Sequence, residues 1–476
     1  MKDFLAKRRR VFVLLTPAIL GAIFIILCLL GMNHSATTAE GRTVFMTRFD
    51  AGQIWQIAGE QGEGPMYYWL AKAWAHFFGH TDYNLRVLSA LLGAIAIVFA
   101  FLWLKYKYGL TAAVLAASLM TIAPLFVHFG QSAESATLII ALTFAANYFL
   151  QLAIDHRSKY WWMLYALTMI LGIWTNGIFA LVLIAHLIYI WRSAGKKVFT
   201  RKAVWLSLLS IVVLGAMHCV YYSRPLVMAE EADMMNSLSN SVLYMSGMLP
   251  SLIATICIAL LACGAYQCRL YLLGFIMGIT WLGALLLPWF DLVKVPFLAV
   301  IPMMLAGIFI AKMIHQKKAV RLLASGIGII SIALCVCGLV NVYRNDNADI
   351  NTGESFAARR IIGSIDDLNM GAKNAIITDD VQMYYQLATY TTEDNPVLFV
   401  GTSSAKAIEF DYAGRVDDFA SWRERHDEFW QVFALSEEII EVPGYEGWRI
   451  SQTSGFLPNN AQYGYKLVKF VKESTE

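Results

Sequence analysis

Three carboxylates in this chain stand at places where acid–base chemistry could be done. Asp50 follows Arg48-Phe49 and precedes a short helix-forming stretch, Glu63 lies in Gly62-Glu63-Gly64-Pro65 ahead of Tyr67-Tyr68-Trp69, and Glu134 opens an apolar segment. A positioned carboxylate serves as a general base, and nearby cations hold an anion. The cations on the same side of the chain's apolar segments are Arg42, Arg48, Lys72, Arg86, Arg224 and Lys294. Most of these residues also have a plainer use. Asp50 is a favoured N-cap for a helix over 51–60, and Glu134 suits the N-terminus of the helix it opens. Arg224 and Lys294 can reach lipid headgroups by snorkelling, and Lys294 can also pair with Asp291. Lys72 and Arg86 suit interface anchors, and Tyr67 and Tyr68 suit an aromatic belt.

The elements that must position them are set by composition. The chain has 476 residues, 58% hydrophobic and 15% charged, against roughly 45–50% and about 25% for a soluble protein. An ordinary soluble enzyme is excluded, and a formal charge of +3 points to no nucleic-acid partner. Through residue 340 there are 25 basic and 12 acidic side chains; from 341 onward there are 12 and 22. A membrane domain over 1–340, including a first outer loop over 33–85, therefore precedes a soluble, acidic domain over 341–476.

Uncharged apolar runs cover 11–32, 86–104, 110–128, 135–153, 160–175, 177–191, 203–222, 242–263, 270–288, 294–313 and 320–341. Helices of roughly 17–25 residues cross a membrane, so these predict about eleven transmembrane helices. The first run follows Lys7-Arg8-Arg9-Arg10 but is too long for a cleaved signal core. With the N-terminus in the cytoplasm, 19 basic residues of the membrane part fall inside and six outside, as the positive-inside rule requires. The C-terminal domain then lies outside the membrane. Ala51–Glu60 predicts a short helix, and Pro65–Phe78 an aromatic helix in the interface plane. None of the seven cysteines lies in the external domain, and neither they nor His128, His186 and His218 have partners at metal-binding spacing.

The ordered set of Asp50, Pro65-Met66-Tyr67-Tyr68-Trp69, Phe78-Gly79, Leu85-Arg86-Val87-Leu88-Ser89-Ala90, Ala123-Pro124-Leu125-Phe126, Gln131-Ser132-Ala133-Glu134 and Gly172-Ile173-Trp174-Thr175-Asn176-Gly177 resembles the GT-C membrane glycosyltransferases. The branch is that of the protein O-mannosyltransferases and the lipid A aminoarabinose transferase, and the likeness is clearest over 44–190. What the resemblance implies is sugar transfer from a polyprenyl-phosphate-linked donor to a glycan, lipid or protein acceptor, with inversion, at the outer face of the membrane; the short loops and lean external domain point to the bacterial plasma membrane. Asp50 matches the family's catalytic Asp, with Glu134 and Glu63 as further acids of the site. Tyr67 and Tyr68 would line the donor or acceptor path. The chain departs from the family at Ala51 (usually Glu), Gly64 (His or Lys), Glu134 (Arg) and Asn176 (Lys or His). Missing cations need substitutes beside a lipid phosphate, so Arg224 and Lys294, then Lys72 and Arg86, are the expected phosphate-binding residues. No cofactor is expected, beyond a divalent ion that Asp50, Glu63 and Glu134 could hold weakly.

In the external domain, 374–378, 396–400, 447–450 and 465–470 predict strands and 355–368, 381–389 and 417–435 predict helices, so the domain is α/β. Asp379-Asp380 reads as the cap of the helix that follows, and the domain's expected role is to roof the site and influence acceptor choice. Two rivals remain at this point: a transporter or flippase of lipid-linked sugar, disfavoured by spans without interior charge or repeats, and an inactive GT-C homologue that binds lipid-linked sugar.

Overall fold

The computed structural model describes residues 2–221, 272–274, 276, 278–279, 296–314, 316–344, 358–369, 374–390, 396–401, 415–416, 418–435, 442, 444–456 and 464–473. They fall into two compact units: 1–32, 58–67 and 86–344 in the first, and 33–57, 68–85 and 345–476 in the second. Residues 33–57 and 68–85 of the outer loop, which sequence places with the membrane part, thus group with the C-terminal segment.

The first unit is helical. α1 (Lys2–Leu30), α5 (Asp82–Tyr108), α6 (Leu110–Thr121), α7 (Pro124–Gln131), α8 (Ala136–His156), α9 (Lys159–Thr175), α10 (Ala180–Ala194), α11 (Lys202–Tyr221), α12 (Ile301–Met313) and α13 (Lys318–Arg344) follow the apolar runs. Among the described residues, Asp82–Tyr108, Ala136–His156 and Lys318–Tyr343 are long and apolar enough to cross a membrane. The run expected as one span over 110–128 is instead broken, α6 and α7 meeting at 58°. Pro124 at the start of α7 explains the break: it lacks an N–H, and it holds Ala123 in an extended conformation. The expected span 242–263 and most of 270–288 lie outside the described residues.

Small residues bring these helices together. A Cβ on Gly307 of α12 would stand 2.4 Å from the Ala116 backbone of α6, so glycine there allows the two backbones to touch. Gly93 and Gly130 make room for Phe24 of α1, whose ring stacks on Phe126 at 4.4 Å. The opposite face of α1 exposes Leu15, Ile19, Ile23, Ile26 and Leu30, a stripe at helical spacing that suits lipid.

The second unit is built on a six-stranded mixed sheet of β1 (Ile376–Thr378), β2 (Val397–Val400), β3 (Arg415–Val416), β4 (Glu428–Leu435), β5 (Trp448–Phe456) and β6 (Gly464–Lys472), in the order β3-β2-β1-β4-β6-β5. β3, β2, β1 and β4 run parallel; β4, β6 and β5 are antiparallel. Ile377, Phe429, Phe433, Val468 and Phe470 form its core. The helix expected over 417–435 is corrected here: it is a short helix, Phe419–Glu424, and then strand β4. The charged run up to Glu428 imitates a solvated helix face, whereas Phe429–Phe433 is buried on both sides of a central strand and is apolar except at Gln431. The strand expected over 447–450 extends to Phe456.

Candidate active site

Asp50 sits at the start of α3 (Ala51–Glu60), in the second unit, and is exposed. Its Oδ1 accepts hydrogen bonds from Gly52 N and Gln53 N, both at 2.8 Å, while its own N–H donates to Gln53 Oε1 at 3.0 Å. This is a reciprocal cap on the helix N-terminus. Only one carboxylate oxygen is used; Oδ2 has no partner among the described residues. The capping and proton-accepting uses of Asp50 are therefore compatible. The next residue is held as well, since Trp69 Nε1 donates to Ala51 O at 3.0 Å and the Trp69 ring stacks on Trp55 at 5.7 Å.

In the first unit, α3 ends in a left-handed turn. Gly62 has φ +73°, Gly62 N donates to Gly59 O at 3.1 Å, and Glu63 N donates to Ala58 O at 2.8 Å, the double closure that a glycine just past a helix end makes possible. This fixes the backbone of Glu63. Gly64 follows under tight contact: a Cβ there would stand 2.0 Å from Trp174 O and 2.7 Å from Thr175 C. The departure from His or Lys thus has a steric cause. Asn176, the other departure nearby, caps the turn after α9, its Oδ1 accepting from Ile178 N at 3.0 Å.

Tyr67 and Tyr68, in α4 (Met66–Phe78), are both buried. Tyr67 OH lies 3.0 Å from Ser89 Oγ, and Ser89 Oγ donates to Glu134 O at 3.5 Å. Glu134 is half-buried in the bend just before α8. Arg86 is fully buried, and its Nη1 donates to Met32 O at 2.7 Å; a cation satisfies a carbonyl just past the end of α1. Tyr68 OH, in the second unit, accepts from Arg42 Nη2 at 3.1 Å. Lys72 is half-buried and its Nζ donates to Thr47 O at 3.4 Å. Arg224 and Lys294 lie outside the described residues.

The loop that carries Asp50 is tied into the C-terminal segment by contacts that sequence reading missed. α2 (Thr38–Met46) packs on the helix Val381–Ala388, with Gly41 against the Tyr385 backbone and Phe45 against the Tyr384 and Tyr385 rings. Gln386 Nε2 donates to Thr38 Oγ1 at 2.9 Å, and Arg48 Nη2 donates to Ala388 O at 2.8 Å. Buried Asp82 accepts at one oxygen from Tyr390 OH (2.8 Å) and Arg359 Nη2 (3.1 Å), and Tyr390 OH accepts from Ala36 N at 2.7 Å. Burial first, and then the Asp82 charge, push the Tyr390 phenol above its ordinary pKa, so it stays a donor. Asp380 caps the helix after β1, accepting from Met383 N at 2.7 Å, the role its sequence context suggested. α2 itself had a signal: Thr37 and Glu40 form a capping box.

Residues 62–222 match the family described as dolichyl-phosphate-mannose-protein mannosyltransferase. The match takes in Glu63, Tyr67, Tyr68, Lys72, Arg86 and Glu134, while Asp50 stands ahead of it. No curated protein matches the sequence. Among solved structures, ArnT from Cupriavidus metallidurans in the apo state aligns with 89% of this chain and 93% of its own, at 14% identity and a TM-score of 0.57. The same protein bound to undecaprenyl phosphate aligns with 96% and 98%, at 13% identity and 0.57. The Archaeoglobus fulgidus oligosaccharyltransferase aligns with 79% and 63%, at 11% identity and 0.47. The expected likeness is borne out in the family match and in the fold, which the chain shares with ArnT.

Proposed function

We propose that the protein is an inverting glycosyltransferase that moves a sugar from a polyprenyl-phosphate-linked donor to an envelope glycan, lipid or protein at the outer face of the bacterial plasma membrane. The observation that carries this reading is Asp50: its place in the first outer loop matches the family pattern, and one carboxylate oxygen stays open while the other fixes the side chain. Oδ2 takes the proton of an acceptor hydroxyl as that oxygen attacks the anomeric carbon. The bond to the lipid phosphate breaks in the same displacement, which inverts the carbon and releases polyprenyl phosphate. The leaving group is already ionised and needs no acid, so cations around the phosphate supply the remaining stabilisation.

In this reading Glu134 and Glu63 are secondary acids that position substrate or cations, Arg224 and Lys294 face the donor phosphate, and no resident cofactor is required. The N-terminus is cytoplasmic, and the C-terminal segment, outside, holds the Asp50 loop and biases acceptor choice. The family match, the fold shared with ArnT and the asymmetry of basic residues support it.

The test uses purified protein in lipid with radiolabelled polyprenyl-phosphate monosaccharides and membrane extract as acceptor. Transfer by the wild type, lost in Asp50→Asn, is expected; transfer unchanged in Asp50→Asn sinks the base assignment. Donor binding without transfer would mark an inactive homologue, and donor crossing the bilayer unconsumed would mark a flippase.

A further inference from the structure

The outer loop carries a second charged group, of which only Lys72 was expected at a donor phosphate. Arg48 precedes α3, Lys72 lies on α4 and His80 follows α4; they gather about Thr47. Lys72 Nζ donates to the Thr47 carbonyl at 3.4 Å, and Thr47 Oγ1 lies 2.7 Å from His80 Nδ1. Thr47 Oγ1 is also 2.6 Å from Val44 O, which can only accept. The single hydroxyl proton therefore goes to Val44, and His80 Nδ1 carries the hydrogen toward Oγ1. This leaves His80 Nε2 without a protein partner among the described residues.

No carboxylate bonds to Arg48, Lys72 or His80 among the described residues. Of the acids in the same loop, Asp50 uses one oxygen in its cap and Asp82 bonds Arg359 and Tyr390. Burial first, then the charges of Arg48, Lys72 and His76, hold His80 below its ordinary pKa. Like charges gathered without an anion oppose folding, and an anion relieves them. On the same helix as Lys72, Phe77 and Phe78 are 78% and 55% exposed, and Trp74 lies against Phe78 with ring centroids 4.1 Å apart. Exposed aromatic side chains beside cations match the chemistry of a lipid with an anionic head.

We propose that Arg48, Lys72 and His80 form a site for a phosphate group carried by a membrane lipid, with Phe77 and Phe78 against its hydrocarbon. Arg48 offers a planar fork and Lys72 a point charge, the two usual phosphate donors, and protonated His80 adds its Nε2–H. The site does not depend on the transfer reading. A bound phosphate stabilises the imidazolium, so binding takes up a proton and strengthens as pH falls. The groups facing His80 in that titration are Arg48, Lys72, His76 and Thr47.

The experiment measures binding to the full chain in phosphatidylcholine nanodiscs, by native mass spectrometry and tryptophan fluorescence. The probes are phosphatidylglycerol, polyprenyl phosphate and inorganic phosphate. The double variant Arg48→Gln, Lys72→Gln is expected to lose affinity for lipid phosphate by about tenfold or more. Loss for both lipids assigns a general lipid-phosphate site; loss for polyprenyl phosphate alone assigns the carrier. His80→Gln is expected to match wild type at pH 8 and to lack the rise in affinity toward pH 5.5. Arg48→Lys, which keeps the charge, reports on folding and should retain most of the binding. Equal lipid binding by wild type and double variant overturns the proposal, as does binding of inorganic phosphate with neither lipid.

Discussion

Gly64 offers the sharpest test of how this chain departs from the family it resembles. A methyl group there would meet backbone atoms, at 2.0 Å from Trp174 O and 2.5 Å from Trp174 C. Unbonded carbon atoms sit comfortably at about 3.5–4.0 Å, so Gly64→Ala must separate the Gly64 turn from the end of α9 by more than ~1 Å. The atoms that must yield belong to the C-terminal turn of α9, where Asn176 N donates to Gly172 O at 3.0 Å. They cannot swing aside as a side chain would. Overpacking costs roughly 1–3 kcal/mol, and a rigid backbone places this case toward the upper end. In detergent, Gly64→Ala should lower the melting temperature by roughly 2–8 °C, and Gly64→His by at least as much. Thermal melts of purified wild type and both variants, with the donor assay run alongside, decide the matter. A Gly64→His protein that melts with wild type, or that transfers sugar faster, would refute the steric argument and show that the missing cation was absent for another reason.

At Asp50 the two oxygens can be separated by substitution. Asn caps as well as Asp, so Asp50→Asn should keep wild-type stability while losing about 10²–10⁴-fold in transfer, whereas Asp50→Ala should also lose about 0.5–2 kcal/mol of stability. Tyr390→Phe removes the donor to buried Asp82 and the acceptor of Ala36 N; a loss of about 1–3 kcal/mol, together with faster proteolysis of the outer loop, is the expected result. Arg86→Met should destabilise more than Lys72→Met, because only Arg86 is fully buried on a helix-end carbonyl, and chemical denaturation compares them. His80 has a lowered folded pKa, so the unfolded chain binds more protons between the two pKa values and stability falls as pH drops through about 6.5. His80→Gln should flatten that fall in melts taken between pH 8 and 5.

The apolar runs were legible because lipid demands uninterrupted helix, and α3 appeared at 51–60 as expected because the Asp50 cap and the glycine after it punctuate the chain. The break between α6 and α7 was signalled by Pro124 but hidden inside an apolar run long enough for one span. β4 was misread because charge outside Phe429–Phe433 dominated the pattern. The ties of the outer loop could not be read at all: Asp82 and Tyr390 are 308 residues apart, and Asp82 and Arg359 277. Nothing local in the sequence pairs an acid at a helix start with a phenol and a guanidinium so distant. The basic cluster is hidden for the same reason, since Arg48, Lys72 and His80 belong to three elements and meet only when the loop folds about Thr47.

Two departures that looked independent are one local solution. Gly64 and Asn176 meet the same stretch of backbone: glycine lets the turn after α3 rest on Trp174 and Thr175, and Asn176 caps the turn that follows them. A cation at position 64 is incompatible with that contact, whatever its use to a phosphate. Asn176, as the capping residue, holds the α9 end in the place that Gly64 requires. The chain therefore has a packing reason to lack two positive side chains where the resemblance predicts them. In the proposed reading, charge for a phosphate then comes from elsewhere in the outer loops, where Arg48 and Lys72 are cations with no carboxylate bonded to them among the described residues.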